Sequence, residues 1–231
     1  MTGTNTVQGL CSRFLGVLVD LDNTLYDFAS AKEQACTEVI RFIGEGDPGD
    51  LISAFLFSPH GVENPVVIHS WLCDKGITDE TVILGAVEVY LETKASAIKA
   101  YPGVIETLRT IYLSGLKIGA VTNASYEHAN NRLVYIGIQN FMSCLVTPDT
   151  SGFKKPDPEI FIYSADHLKV QPHQVCAVGD NLVNDIRPAK QAGMCTVHAA
   201  YGNRLPPEYS EGIVADFSIQ SFPELLPILG I

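Results

Sequence analysis

No run of residues in this chain is apolar for long enough to cross a bilayer, and Met1 to Cys11 lacks a charged segment followed by an apolar one. The expected compartment is the reducing cytoplasm. Clusters of basic residues are absent too: 15 lysines and arginines face 26 acidic residues, a formal net charge of −11. Nucleic acids and anionic membranes are bound through clustered positive charge, so neither is an expected partner. The six cysteines, Cys11, Cys36, Cys73, Cys144, Cys176 and Cys195, form no C-x-x-C pair and read as free buried thiols. The histidines, His60, His69, His128, His167, His173 and His198, show neither H-x-x-x-H nor H-E-x-x-H spacing, which leaves zinc catalysis without a ligand framework. Internal repeats and low-complexity tracts are missing as well.

What is present is 231 residues of 46% hydrophobic composition, sufficient for one sizeable core and a smaller inserted unit. Phe14 to Asp20 is apolar without period-2 alternation, the pattern of a strand buried on both faces of a parallel sheet. Further strands are predicted at Leu116–Asn123, Ser143–Thr147, Gln174–Asp180, Cys195–Ala200 and Asp216–Ile219. Helices are predicted at Tyr126–Ile136, Pro158–Leu168 and Asn184–Ala192, with a terminal helix from Phe222. Another opens after Tyr101-Pro102-Gly103, buries Val104, Leu108 and Ile111, and ends at Gly115. Strands alternating with helices imply right-handed crossovers and an α/β fold built on a doubly wound parallel sheet.

Between the first two strands the pattern is helical throughout. Ala29–Ile43 carries Ala35, Val39, Phe42 and Ile43 on one stripe, and Gly44 to Gly49 reads as a breaker. Leu51–Phe57, Val66–Lys75 and Asp79–Lys99 follow, the last with Val82, Ala86, Val89 and Tyr90 on one face. The expected division is therefore a core at 1–26 and 100–231 interrupted by an all-helical cap at 27–99, placed to act as a lid.

The chemistry is concentrated at predicted strand ends. Asp20 and Asp22 stand at i and i+2 where the first strand breaks, at the carboxyl edge where open α/β sheets bind ligands. Asp-Asn-Thr is also good turn chemistry, so this pair alone does not distinguish a site from a strand-ending turn. Thr122 and Asn123 follow the second strand and precede a helix, offering a hydroxyl, an amide and helix-terminal N–H groups to phosphate oxygens. N-capping by Ser125 or Asn123 is compatible with that role. Asp180 and Asp185 supply hard oxygen ligands with no His or Cys nearby, which suits Mg²⁺; Asp185 equally suits the cap of the following helix.

Asp20-Leu21-Asp22-Asn23-Thr24, then Thr122-Asn123, then Lys155-Pro156-Asp157-Pro158, then Gly179-Asp180 with Asp185, form a series that resembles the haloacid dehalogenase (HAD) superfamily of aspartate-nucleophile hydrolases. The resemblance covers essentially the whole chain. It implies a HAD-like, Rossmann-like core with an inserted helical cap, and the phosphatase branch, similar to phosphoglycolate phosphatases. In that scheme Asp20 is the nucleophile that becomes an aspartyl phosphate, and Asp22 is the acid and base. Halide displacement needs no proton donor, and the dehalogenase branch lacks an Asp at the second position, so Asp22 points to phosphate chemistry. Lys155, next to Pro156, supplies the fixed positive charge, whereas Lys154 reads as solvated. Mg²⁺ is expected on Asp20, the backbone carbonyl of Asp22 and Asp180, with Asp185 in support.

The implied function is Mg²⁺-dependent hydrolysis of a small-molecule phosphate monoester. A phosphomutase of the β-phosphoglucomutase kind would share every one of these residues, and a regulatory protein that had lost turnover would be expected to carry a broken motif. The expected partner is a small phosphorylated metabolite. His60, Glu63, His69 and Trp71 are candidates for substrate selection in the cap, against ordinary surface or core positions for the same side chains.

Overall fold

Strand β1 (Gly16–Val19) lacks polar alternation because it is covered on both faces: all four residues are buried. In the computed structural model, which describes residues 14–59, 63–204 and 206–231, it lies at the middle of a six-stranded sheet. Cys11 and His60 fall outside the described residues. The other strands are β2 (Lys117–Val121), β3 (Cys144–Val146), β4 (Val175–Gly179), β5 (Cys195–Ala199) and β6 (Phe217–Ile219). Every pairing is parallel, in the order β3-β2-β1-β4-β5-β6. The chain builds outward from β1 through β2 to β3, then crosses to β4 on the other side. This reversal opens a crevice at the carboxyl ends of β1, β2 and β4. Leu18, Val121, Val146, Ile160, Phe161, Leu168, Val175 and Ala177 are among the residues that fill the core.

The described residues fall into two compact units, Phe28–Lys99 and the remainder, made of the chain up to Asp27 together with Ala100–Ile231. The sheet unit carries α5 (Val104–Leu113), α6 (Tyr126–Tyr135), α7 (Pro148–Ser151), α8 (Glu159–Leu168), α9 (Arg187–Gln191) and α10 (Leu225–Leu229). Val104, Leu108 and Ile111 form the buried stripe of α5. Three details differ from the sequence reading. α7 was not expected; Pro148 at its start and a capping box between Thr147 and Thr150 stabilise a turn too short to show periodicity. The predicted helix at Asn184–Ala192 begins earlier, as a π turn over Leu182–Ile186 that leads into α9. The terminal helix begins as a 3₁₀ turn, Phe222–Glu224.

The helical unit consists of α1 (Phe28–Ile43), α2 (Pro48–Leu56), α3 (Val66–Asp74) and α4 (Glu80–Ala97). α2 starts inside the expected breaker, because Asp47 accepts from Gly49 N–H and Pro48 suits the first helical position. Stripe assignments also shift. Phe42 is 49% exposed, its ring lying over Gly85, and the buried face of α1 runs through Phe28, Ala31, Lys32, Ala35, Cys36 and Val39. On α4 the buried residues are Ile83, Ala86, Tyr90 and Lys94, leaving Val82 and Val89 half-buried. The two lysines bury their stems and keep their charge against aromatic faces, Lys32 over Phe55 at 5.1 Å and Lys94 over Tyr90 at 5.0 Å. Among the described residues no helix is long and apolar enough to cross a membrane.

Candidate active site

Asp20 follows β1 directly and its N–H still bonds Val178 O at 2.9 Å, so the sheet fixes the start of the loop that carries the paired carboxylates. Asn23 then takes a left-handed conformation (φ 61°), which Asn tolerates, and the chain turns back so that Thr24 faces Asp20. The Thr24 hydroxyl accepts from Asp180 N–H (3.0 Å) and shares its proton between Asp20 Oδ2 (3.1 Å) and Asp180 Oδ1 (3.3 Å). Neighbouring glycines make room for this. A Cβ on Gly202 would stand 1.8 Å from Asn23 O, and one on Gly179 would stand 2.4 Å from the Asp185 side chain. Tyr201 O–H adds a bond to Thr24 O at 2.6 Å, and His198 Nε2 donates to Asp180 O at 2.9 Å.

Lys155 arrives from the segment after α7 and is buried among these acids. Its ammonium pairs with Asp20, with Asp185 Oδ1 at 2.7 Å and with Val121 O at 3.1 Å. Asp20, Asp180 and Asp185 each offer a carboxylate oxygen within 4.8 Å of the others, and all three are buried. Three carboxylates against one ammonium leave an excess of buried negative charge. Burial pushes the Asp20 carboxyl up to about 7, with Asp185 and Asp22 adding to the rise and Lys155 opposing it. Asp180 goes up to about 9, again chiefly through burial and then through Asp20 and Asp185. Burial alone would lower Lys155, but the Asp185 and Asp20 carboxylates outweigh it and hold the ammonium firmly protonated. The ammonium is therefore charged throughout the working range, and the strain of the cluster resides in its surplus carboxylates. An all-oxygen donor set short of positive charge fits a hard divalent cation such as Mg²⁺.

Asp22, two residues on, faces elsewhere. Its carboxylate accepts from Arg132 Nη1 (2.8 Å to Oδ1, 3.0 Å to Oδ2) and from Tyr26 O–H (2.7 Å). Tyr26 is fully buried, which together with the Asp22 charge holds its hydroxyl well above the usual tyrosine range. Thr122 is buried after β2, its hydroxyl accepting from Ala124 N–H at 3.1 Å. The Asn123 amide clips the backbone of Lys155, donating to its carbonyl (2.9 Å) and accepting from its N–H (2.8 Å), and so sets the lysine in place. Lys154 is exposed. Ser125 caps α6 and Asn181 caps the π turn, so capping explains neither Asn123 nor Asp185; Asp185 instead accepts from Asn181 N–H at 3.0 Å.

The residues singled out from the sequence, Asp20, Asp22, Thr122, Asn123, Lys155, Asp180 and Asp185, all lie on this edge of the sheet; the sequence reading gave no role to Thr24, Tyr26, Arg132, His198 or Tyr201. Arg132 had left a trace: it lies between Ala129 and Leu133 on the buried face of α6, where a solvated arginine has no place. In the helical unit, Trp71 belongs to the hydrophobic core, Glu63 pairs with Lys94 at 3.6 Å and His69 is exposed, 3.9 Å from Glu80.

The raised carboxyls make a testable statement about pH. Between about pH 4 and 9 the folded, metal-free protein holds protons on Asp20 and Asp180 that the unfolded chain releases, so its stability falls as pH rises through that window. Melting temperatures measured across this range after chelation are expected to decline, and the stabilisation gained on adding MgCl₂ is expected to grow with pH. A melting temperature that climbs from pH 5 to 9 without metal would contradict the charge balance described.

Comparison with known proteins places this geometry in a family. The family model described as haloacid dehalogenase-like hydrolase matches residues 14–193. The chain belongs to the haloacid dehalogenase-like hydrolases. A curated relative of this HAD family, glyceraldehyde 3-phosphate phosphatase from Methanopyrus kandleri, is 34% identical, with 92% of this chain and 96% of the relative covered. Phosphoglycolate phosphatase from Nitrosospira multiformis is 28% identical over 85% of each chain. Among solved HAD-fold structures, a β-phosphoglucomutase-like protein from Thermotoga maritima aligns with TM-score 0.74 at 22% identity, covering 93% of this chain and 96% of that one. A HAD hydrolase from Bacillus subtilis, solved bound to magnesium, aligns with TM-score 0.72 at 20% identity, covering 95% and 100%. These likenesses establish the α/β HAD fold, and the chain is a hydrolase by family.

Proposed function

We propose that this protein is a Mg²⁺-dependent phosphatase that hydrolyses a small-molecule phosphate monoester through an aspartyl phosphate on Asp20. The observation that carries the reading is the buried cluster of Asp20, Lys155, Asp180 and Asp185 with a second acid, Asp22, on the same loop. Asp20 attacks phosphorus and the ester P–O bond breaks; the leaving oxygen takes a proton from Asp22. Water then attacks the aspartyl phosphate, gives its proton to Asp22 and frees Asp20, so that ester and water become alcohol and phosphate. Lys155 neutralises charge on Asp20 and on the transferring group throughout. Asp20, the Asp22 carbonyl and Asp180 would hold Mg²⁺, with Asp185 in support; when bound, it shields the anionic nucleophile from the anionic substrate. Thr122 and the N–H groups at the start of α6 receive phosphate oxygens.

The curated relatives act, by name, on glyceraldehyde 3-phosphate and phosphoglycolate, which favours a compact organic phosphate. Phe28–Lys99 is read as a cap that selects among such substrates, and the acidic net charge and free cysteines agree with a cytoplasmic metabolic enzyme. The test is a metabolite panel assayed with Mg²⁺ for both free phosphate and isomerised product. Phosphate release supports the reading; isomerisation without release would make the protein a mutase, and neither would refute both.

The two lysines separate charge placement from mere basicity. Lys155→Ala is expected to slow turnover on the order of a hundredfold or more. Leaving the buried carboxylates without their partner should also cost about 3–5 kcal/mol of stability. Lys154→Ala, at an exposed position, should change neither rate nor melting temperature. Equal effects in steady-state kinetics, or the reverse order, would show the charge to be wrongly assigned.

A further inference from the structure

An arginine buried on the inner face of a helix needs a reason, because a desolvated guanidinium without a partner is strongly destabilising. Arg132 is 6% exposed, on a helix face otherwise made by Ala129 and Leu133. Its partner is the Asp22 carboxylate, 110 residues away in sequence, and Tyr26 contacts the same carboxylate. We propose that Arg132, assisted by Tyr26, is a positioning residue that fixes the direction of the Asp22 carboxyl and thereby governs proton transfer to the leaving group and from water. This rests on the phosphatase reading above and extends it to residues outside the motif series.

Three features support it. Oδ1 of Asp22 accepts from two donors, Arg132 Nη1 at 2.8 Å and Tyr26 O–H at 2.7 Å, so the carboxyl is held about both its bond to Cβ and its plane. A proton carried on Oδ2 weakens the longer 3.0 Å contact to Arg132 but leaves both Oδ1 contacts in place, so the anchor survives the exchange between acid and base. The donors also come from two directions: Tyr26 lies four residues along the Asp22 loop, and Arg132 stands on the helix that follows Thr122 and Asn123. The helix whose start is read as receiving phosphate therefore also orients the acid, which couples the two halves of the site mechanically. A lysine in place of Arg132 would keep the charge but lose the rigid planar guanidinium whose Nη1 is set against both carboxylate oxygens.

A purely structural ion pair would tie α6 to the loop and affect all substrates alike; a positioning role depends on the leaving group. The experiment compares wild type with Arg132→Met, Arg132→Lys and Tyr26→Phe, using phosphoglycolate, whose alkoxide needs a proton, and dinitrophenyl phosphate, whose phenolate does not. For Arg132→Met, kcat/KM on phosphoglycolate is expected to fall about a hundredfold or more, as for loss of general acid catalysis, while that on dinitrophenyl phosphate changes less than about threefold. Dinitrophenolate should then appear as a burst before a slow steady state, because the same carboxyl serves the hydrolysis step. Arg132→Lys is expected to recover part of the loss and Tyr26→Phe to show a smaller effect of the same kind, both with melting temperatures near wild type. Equal losses on the two substrates that track the melting temperature would overturn the inference, as would no loss on phosphoglycolate in a folded Arg132→Met. Wild-type turnover that survives Asp20→Asn unchanged would instead refute the phosphatase reading, and this inference with it.

Discussion

Replacing Asp20 by Asn is expected to reduce turnover by about 10⁴-fold or more while leaving the fold intact. The amide matches the carboxylate in shape and can turn its oxygen to Lys155 and its NH2 to the Thr24 hydroxyl, which then donates to Asp180, but it cannot form an acyl phosphate. Lys155 keeps Asp185 and the Val121 carbonyl as partners, so no buried charge is stranded. The protein should even gain stability. Asp20 is ionised only against a rise of its carboxyl to about 7, caused first by burial, so removing this charge relieves the metal-free site. A dead enzyme with an unchanged or raised melting temperature is the combined expectation. An inactive variant that has also unfolded would leave the nucleophile assignment without support, and an active one would refute it.

Removal of divalent cations is expected to abolish activity just as completely. Without the cation, burial and mutual repulsion hold protons on Asp20 and Asp180, which blunts the nucleophile; ionising them leaves carboxylates within 4.8 Å of one another that repel the phosphate dianion with only Lys155 to offset them. Loss of turnover after exhaustive EDTA treatment, restored by MgCl₂ and not by NaCl at equal ionic strength, is the outcome that the charge balance requires. Undiminished rates after chelation would show that Lys155 suffices alone.

The sheet and the edge that carries the candidate site were legible in the sequence because both follow from short-range rules. Buried parallel strands have no alternation, and Gly119, Gly179, Asp20 and Asp180 sit in or directly after such strands, so the carboxyl edge could be drawn before any coordinate was known. What escaped detection depends on contacts between distant segments. The Asn123 amide could be assigned to phosphate from its place after a strand, yet it is engaged with Lys155, 32 residues later. The position of Arg132 between Ala129 and Leu133 marks it as buried, but its partner Asp22 lies 110 residues away and could not be named from the sequence. Phe42 fitted the apolar period of α1, but the adjacent helix offers Gly85 there, and the ring lies across it half in water. Length was the limit for α7, whose four residues are held by Thr147 and Pro148 rather than by a repeating pattern.

The central claim is that Asp20 becomes phosphorylated, and the most direct measurement is rapid acid quench during turnover with Mg²⁺, followed by intact-mass and peptide mass analysis. The account predicts one added phosphoryl group on the peptide containing Asp20 in the wild type, a larger fraction in Asp22→Asn after exposure to acetyl phosphate, and none in Asp20→Asn. Phosphate found on Asp20→Asn, or on any other residue of a turning-over wild type, would contradict it.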